Sequence, residues 1–359
     1  MCGSKLEGVL AQEEPVRNFK CRQLLDRRKI AHKQIMPRQP LPPPFDGMLV
    51  VNKPCGKTSH DVVEAVRRLV GFRQIGHLGT LDPLATGVLV LALGRATRLA
   101  RFYAGRRKRY TCAVRFGFAT DTYDADGEAL GPDLSPALDS AQLASLAAQF
   151  LGKIQQTPPA FSAKKIQGRP AHELARKHKP VKLDPVEVEV YEFRLTSVEG
   201  SVARFVVECG SGTYIRSLAN DLGKLHGSGA HLAEIARTAV GEFTLDHAVS
   251  LAELEQDAKA GRIAERVICL ENLLPELPRA TVLPIVEKRV RHGAKFNLPL
   301  AQIQPGQVTA AQGAPEHLDS GDWKPARLRV FNQQGQLIAI AEPVVPRTYQ
   351  PVLVLEATP

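Results

Sequence analysis

The sequence predicts a mixed sheet with helices packed on it, an α+β or α/β domain, followed by a small β-rich C-terminal domain. Three observations carry that reading. Strand-like and helix-like segments interleave without a strict βαβ rhythm. Residues 88–93, Val-Leu-Val-Leu-Ala-Leu, form a wholly apolar run of strand length, which reads as a buried strand. Beyond Pro275, Pro278 and Pro284, a stretch that reads as a linker, only short strand-like pieces follow.

The elements fall in order from the first folded residue, near Phe45. Residues 48–51 are a short apolar strand, and Ser59 is the expected N-cap of a helix. Val62, Val63, Val66, Leu69 and Val70 make one face of that helix, and Gly71 stops it. Residues 110–118 read as a strand and 140–151 as an amphipathic helix ending at Gly152. Residues 186–195 and 202–209 alternate well enough for two strands. Residues 213–226 predict a helix with Ile215, Leu218, Leu222 and Leu225 inward, closed by Gly227. Past the linker, residues 327–331, 337–341 and 352–355 are strand-like, with a hairpin turn expected at Asn332-Gln333-Gln334-Gly335-Gln336.

The chain has 359 residues, room for two domains and a sizeable core. Lys plus Arg exceed Asp plus Glu by 47 − 37 = 10, which favours a polyanionic partner, nucleic acid before membrane. Half of that excess is local: residues 1–44 carry nine Lys or Arg against four Asp or Glu. This segment holds too little apolar surface for a core and reads as a disordered or loosely helical extension. No apolar run approaches the roughly 20 residues needed to span a bilayer, and the N-terminus lacks the apolar stretch expected of a secretory signal. The cysteines at 2, 21, 55, 112, 209 and 269 form no CxxC pair or zinc spacing and read as reduced thiols of a cytosolic protein. Cys112 and Cys209 sit in apolar strand-like runs as core filler.

Four segments carry chemistry. In residues 76–94 one carboxylate, Asp82, stands on a Gly- and Pro-punctuated loop at the edge of the apolar run, so a rigid strand would aim a reactive oxygen. Cys55-Gly56-Lys57-Thr58-Ser59 imitates the end of a phosphate-binding loop, but Val51 stands where that motif needs Gly and Pro54 occupies the loop. Gly210-Ser211-Gly212-Thr213-Tyr214-Ile215-Arg216 leaves a strand and enters a helix, and it lacks the third glycine of a dinucleotide fingerprint. Arg216 falls in the first helical turn, where the macrodipole disfavours a cation, so a specific anionic partner is expected. Arg106-Arg107-Lys108-Arg109-Tyr110 is a charge run opening a strand, with cations that could meet phosphate. Thr157-Pro158-Pro159-Ala160-Phe161-Ser162-Ala163-Lys164-Lys165 opens a basic stretch that could close over RNA.

The pattern Gly76-His77-x-Gly79-x-Leu81-Asp82-Pro83-x-Ala85-x-Gly87-x-Leu89 resembles the active-site motif of the TruB family of pseudouridine synthases. Asn52-Lys53-Pro54-x-Gly56-x-Thr58-Ser59 is similar to that family's N-terminal motif, and the Pro-Pro-x-Phe-Ser-Ala-x-Lys segment to its bacterial insertion motif. Residues 1–44 have no counterpart in the usual pattern, and Met36, just ahead of it, is an alternative start. The resemblance implies an α+β fold, mainly antiparallel in its central sheet, over residues 45–275, with an RNA-contacting insertion at about 155–185 and a PUA-like RNA-binding domain at 281–359. It implies a tRNA uridine, position 55 of the T loop, as substrate. The base is flipped from its stack, its glycosidic bond is broken, and the ring is rejoined through C5.

By the same resemblance Asp82 is the nucleophile, Arg216 pairs with it and holds it ionised, and Tyr110 stacks on the base or takes the C5 proton. His77 would wedge the remodelled RNA loop, and Lys53 would build the site wall. Gly79, Thr80, Lys108, Arg109, Ser162, Lys165 and Tyr214 are the remaining expected RNA contacts. Attack at C1′, attack at C6 and removal of the C2′ proton all stay open, and none of them needs a metal or organic cofactor. A monomer without an obligatory protein partner is expected. The insertion disfavours a guide-RNA-dependent subunit. The rival reading is a tRNA folding helper that remodels RNA without chemistry; the Asp82, Tyr110 and Arg216 set argues against it, because a binder has no use for a reactive carboxylate.

Overall fold

The computed structural model describes residues 46–159, 161, 165–166, 169–170, 183–307 and 327–355. The expected extension at 1–44, Ser162 and most of the basic insertion lie outside the described residues. The chain runs β1 (Gly47–Lys53), α1 (Ser59–Val70), β2 (Ile75–His77), β3 (Thr86–Leu93), α2 (Ala100–Tyr103), β4 (Lys108–Phe116), α3 (Ser140–Ala148) and β5 (Gly152–Gln156). After the short pair β6 (Lys165–Ile166) and β7 (Arg169–Pro170) come β8 (Val186–Glu199), β9 (Val202–Cys209), α4 (Ile215–His226), β10 (Ala230–Val240), β11 (Phe243–Thr244), α5 (Leu251–Lys259) and β12 (Val267–Cys269). The C-terminal part holds β13 (Arg279–Thr281), α6 (Pro284–Arg291), β14 (Phe296–Asn297), β15 (Ile303–Gln304), β16 (Leu328–Phe331), β17 (Leu337–Val345) and β18 (Thr348–Val354).

The central sheet has the order β12-β1-β3-β10-β4-β9-β8-β5, with β2 on β3 and β11 on β10. It is mixed but mainly antiparallel: β3 meets β10 in parallel, and the other pairings of this sheet are antiparallel. That parallel joint is the place where the sheet's two halves meet, and the Asp82 loop opens directly onto it. Gly87 lets the strands approach, because a Cβ there would lie 2.2 Å from the Arg237 carbonyl oxygen. Its φ of +95° also suits glycine alone.

The apolar run of β3 is explained by burial on both faces. Leu89, Leu91 and Leu93 enter the core under α1, α3, α4 and α5, while Val88, Val90 and Ala92 enter a second core on the opposite face. That second core is completed by Phe331, Leu337, Ile340, Leu353 and Leu355 from the C-terminal sheet, whose order is β14-β18-β17-β16-β13-β15. The segment expected to be a linker is packed down. Leu273 and Leu274 are buried, and Arg329 donates to the carbonyls of Leu273 at 3.1 Å and Leu277 at 3.1 Å. Pro284 is the first residue of α6, where its missing N–H costs nothing.

Three local expectations need correction. Thr58, not Ser59, caps α1, accepting from Asp61 N at 3.0 Å in a reciprocal capping box. Leu225 points outward and is half exposed, while Ile215, Leu218 and Leu222 are buried. The helix expected to run to residue 151 ends at Ala148, and Gly152 opens β5. The hairpin turn stands where expected: Asn332 Oδ1 accepts from Gln336 N at 2.9 Å, and Gly335 adopts φ +80°.

Candidate active site

The loop before β3 is held through its own carbonyls. Arg237 Nη2 donates to Gly79 O at 3.0 Å and its Nη1 to Thr80 O at 3.4 Å. Ser59 Oγ donates to Leu81 O at 3.0 Å and accepts from Leu81 N at 2.8 Å. Ala85 N donates to Asp82 O at 3.1 Å, closing a turn with Pro83 inside it. Pro83 O accepts from Gly56 N at 2.8 Å and from Lys53 Nζ at 3.2 Å. Five successive carbonyls are thus fixed by partners on β1, α1 and β10 and within the loop. The Asp82 side chain inherits that fixed frame, which is what positioned chemistry needs.

The carboxylate meets one cation directly. Arg216 Nε lies 3.0 Å from Asp82 Oδ2, as an ion contact whose N–H is not aligned for a full hydrogen bond. Arg216 is 6% exposed, whereas 47% of the Asp82 side chain faces the opening. The guanidinium is held from behind: Nη1 donates to Asp124 Oδ2 and to Thr122 O, each at 3.1 Å, and Nη2 to Phe161 O at 3.0 Å. Asp124 is itself fixed by Thr122 Oγ1 at 2.6 Å and Asp126 N at 3.2 Å. Asp221, a possible local partner for Arg216, instead bonds Lys224 and Asn220.

Burial dominates the titration of Asp82 and raises its pKa above the ordinary 3.8; Arg216 opposes the rise, Asp124 adds to it and Lys53 lowers it. Sequence reasoning weighed the Arg216 contribution alone, and the net displacement is upward. Tyr110 is buried beside the carboxylate, and burial pushes its phenol up to about 12, so it is neutral at physiological pH.

These groups line a cavity of ≈ 270 Å³ that also includes Gly79, Thr80, Lys108, Tyr214 and Arg237. Tyr214 is the N-cap of α4, and its backbone N–H donates to Gln156 Oε1 at 2.8 Å, tying the helix start to β5. Lys108 is buried and donates to Arg106 O at 3.2 Å. Lys53 does not reach outward: its fully buried ammonium bonds the carbonyls of Pro54, Lys57 and Pro83 and braces the loop. Burial lowers its pKa to about 8.

Arg109 is not brought to this cavity. It alternates to the other face of β4 and pairs with Glu192 at 2.8 Å and Glu208 at 3.1 Å. His77 is exposed and accepts from the N–H of Gly79 at 3.4 Å through Nδ1; desolvation first, then the Arg237 charge, lowers its pKa, which favours a neutral ring. Lys165 belongs to β6, and its side chain lies outside the described residues, as does Ser162. A larger cavity of ≈ 490 Å³ lies on the far face of β4 and β9, with Thr111 and Ala113 in its lining. Its charged members Arg204 and Glu234 neutralise each other at 2.8 Å, so it offers no unspent nucleophile and cation pair. Among the described residues no three His, Cys, Asp or Glu side chains converge as a metal site would require, and no helix is long and apolar enough to cross a membrane.

Sequence reasoning missed Arg237, Asp124, Ser59 and Gln156. The description "TruB family pseudouridylate synthase (N terminal domain)" matches residues 67–215, and "tRNA pseudouridylate synthase B C-terminal domain" matches residues 216–285. A protein named tRNA pseudouridine synthase B from Solibacter usitatus is 42% identical over 311 residues, which cover 87% of this chain and 100% of that protein. A protein of the same name from Geobacter sulfurreducens is 36% identical, over 80% of this chain and 100% of its own length. Among solved structures, a Cbf5-Nop10-Gar1 complex chain has a similar fold, with a TM-score of 0.60 at 24% identity over 82% of this chain and 78% of that one. Family models and relatives agree: the chain belongs to the TruB family of pseudouridylate synthases.

Proposed function

We propose that this protein converts one uridine of tRNA, position 55 in the T loop, to pseudouridine, with Asp82 as the nucleophile. The observation that carries the reading is the Asp82 carboxylate 3.0 Å from the buried Arg216, at the mouth of a cavity flanked by Tyr110. The relatives named tRNA pseudouridine synthase B supply the substrate class. A stacked T-loop base reaches such a recess only after leaving its stack, and a Tyr ring that receives it offsets part of the unstacking cost, a few kcal/mol. The exposed His77 would occupy the space the base vacates, and the segment from Pro158 to the basic insertion is the part proposed to contact the RNA loop. The C-terminal part, residues 281–359, serves as a PUA-like RNA-binding domain, and the enzyme works as a monomer without a protein partner. Lys108, Thr80, Tyr214, Ser162 and Lys165 are the proposed substrate contacts; Gly79 and Lys53 serve by shaping the loop.

The test uses unmodified tRNA transcripts incubated with wild type and with Asp82→Asn, then mapped for pseudouridine nucleotide by nucleotide. One new pseudouridine at position 55, made by wild type alone, is expected. Product elsewhere in the tRNA overturns the position. No product from folded wild type that binds the transcripts overturns the reaction in favour of RNA remodelling.

A further inference from the structure

Two buried cations that line the Asp82 cavity have no ion-pair partner among the described residues. Lys108 is 9% exposed and Arg237 is 1% exposed. Among the described residues neither makes a salt bridge to a carboxylate: Arg237 bonds the carbonyls of Val88, Thr80 and Gly79, and Lys108 bonds that of Arg106. The two are neighbours, since a Cβ built on Gly79 would lie 3.6 Å from both Lys108 Cε and Arg237 Nη1. Desolvation first, then the Arg237 charge, holds the Lys108 pKa below its ordinary value.

A buried charge without a partner costs several kcal/mol. The neighbouring Arg216 shows how this fold answers that cost elsewhere, with Asp82 on one side and Asp124 on the other. Three carbonyl bonds spend most of the Arg237 fork on the loop and on β3, whereas the Lys108 ammonium has three donors and, among the described residues, one acceptor. Lys108 lines a space of ≈ 270 Å³ that it shares with Tyr110. Gly79 keeps the approach clear, because it carries no side chain over the two cations.

We propose that Lys108, backed by Arg237, is the site that holds the negative charge of the uracil ring once its bond to the ribose has broken. The inference rests on the uridine isomerisation proposed above and deepens it. When an Asp82 oxygen attacks C1′, the C1′–O bond forms and the C1′–N1 electron pair leaves with N1. The freed uracil is then a monoanion whose charge spreads over N1, O2 and O4. When the reaction begins instead by removal of the C2′ proton, the same anion departs. In the displacement route, C5 next gives its electron pair to C1′ and Asp82 is released. The C5 proton is then lost and N1 gains one, so the product is an isomer with nothing added. A cation aimed at the ring is worth most at the stage when the ring is anionic, which is how preorganised charge lowers a barrier. Tyr110, neutral and stacked, would let the ring turn in its plane while Lys108 follows whichever oxygen comes near.

Leaving-group dependence tests this. The enzyme is assayed in single turnover on a transcript whose target is uridine and on one whose target is 5-fluorouridine, read as loss of the original C1′–N1 bond. Fluorine withdraws electrons, so 5-fluorouracil is the more stable anion and needs less help. Lys108→Met is expected to slow the uridine substrate by about 100-fold and the 5-fluorouridine substrate by tenfold or less, with RNA affinity within about threefold of wild type. Lys108→Arg, which keeps the charge, is expected to recover most of the rate. The ratio of the two substrates within one variant cancels any loss of folded protein. Equal slowing on both substrates, or a loss confined to RNA binding, overturns the proposal while leaving isomerisation intact. Wild type that breaks neither bond overturns the functional reading, and this inference falls with it.

Discussion

Two buried arginines divide the work of this site, and they are held in opposite ways. Arg216, at the start of α4, lies between two carboxylates, Asp82 and Asp124. Arg237, in β10, has no carboxylate partner among the described residues and donates to backbone carbonyls on the Asp82 loop and on β3. The first arrangement balances charge and sets the protonation of the reactive group. The second leaves charge unbalanced and fixes shape. Reactivity and geometry are therefore assigned to separate residues, and substitutions should separate them.

Removing the proposed nucleophile should give the largest effect on activity and a small effect on the fold. The folded state raises the Asp82 pKa above its unfolded value. Stability from this group is therefore present below the unfolded pKa and is lost as pH rises through the folded one. Ionised Asp82 works against folding at neutral pH, so Asp82→Asn should be inactive yet melt no lower than wild type in a thermal scan. A clear drop in melting temperature would mean that the Arg216 contact outweighs desolvation.

Arg216→Met should lower kcat by about 1,000-fold and move the acid limb of the kcat/KM profile to higher pH, because the main cause opposing the Asp82 shift is gone. Asp124→Asn should move the same limb the other way, since a like charge is removed and Arg216 is freed for Asp82. Limbs that move together would contradict the opposing effects of Arg216 and Asp124 on Asp82.

Arg237→Met should act on stability first. It strips partners from the carbonyls of Gly79, Thr80 and Val88, at a cost of about 3 kcal/mol in denaturant unfolding, and the acid limb should stay where it is. The smallest effect belongs to Arg109→Ala. Its ion pairs with Glu192 and Glu208 are half exposed, so stability should change by less than about 1 kcal/mol and single-turnover rate should not change.

The legible part of this site was local in sequence. Asp82, its glycines and its proline stand within one loop, and Arg216 was betrayed by a cation in the wrong turn of a helix. The helix under Val62 and Val66 and the doubly buried β3 were legible because their periodicities are unbroken. Arg237 was missed because β10 was missed: bulges between Leu232 and Glu234 and between Arg237 and Ala239 break its alternation. Asp124 lies 92 residues from Arg216, in a polar turn whose Tyr123 adopts φ +67°, and only the fold joins them. Ser59 looked like a cap because its neighbour Thr58 was an equally good one, and the fold spends the Ser59 hydroxyl on Leu81 instead. Pro284 looked like a linker residue because the first turn of a helix tolerates proline as readily as a loop does.

The central claim is that Asp82 opens the bond between uracil and ribose so that the ring can return through C5. A transcript labelled with tritium at C5 of its uridines tests it most directly, since joining C5 to C1′ must expel that hydrogen. Wild type should release one tritium per labelled target into water, and folded, RNA-binding Asp82→Asn should release none. Release by the Asn variant at a rate near wild type, with deamidation excluded, would contradict the account.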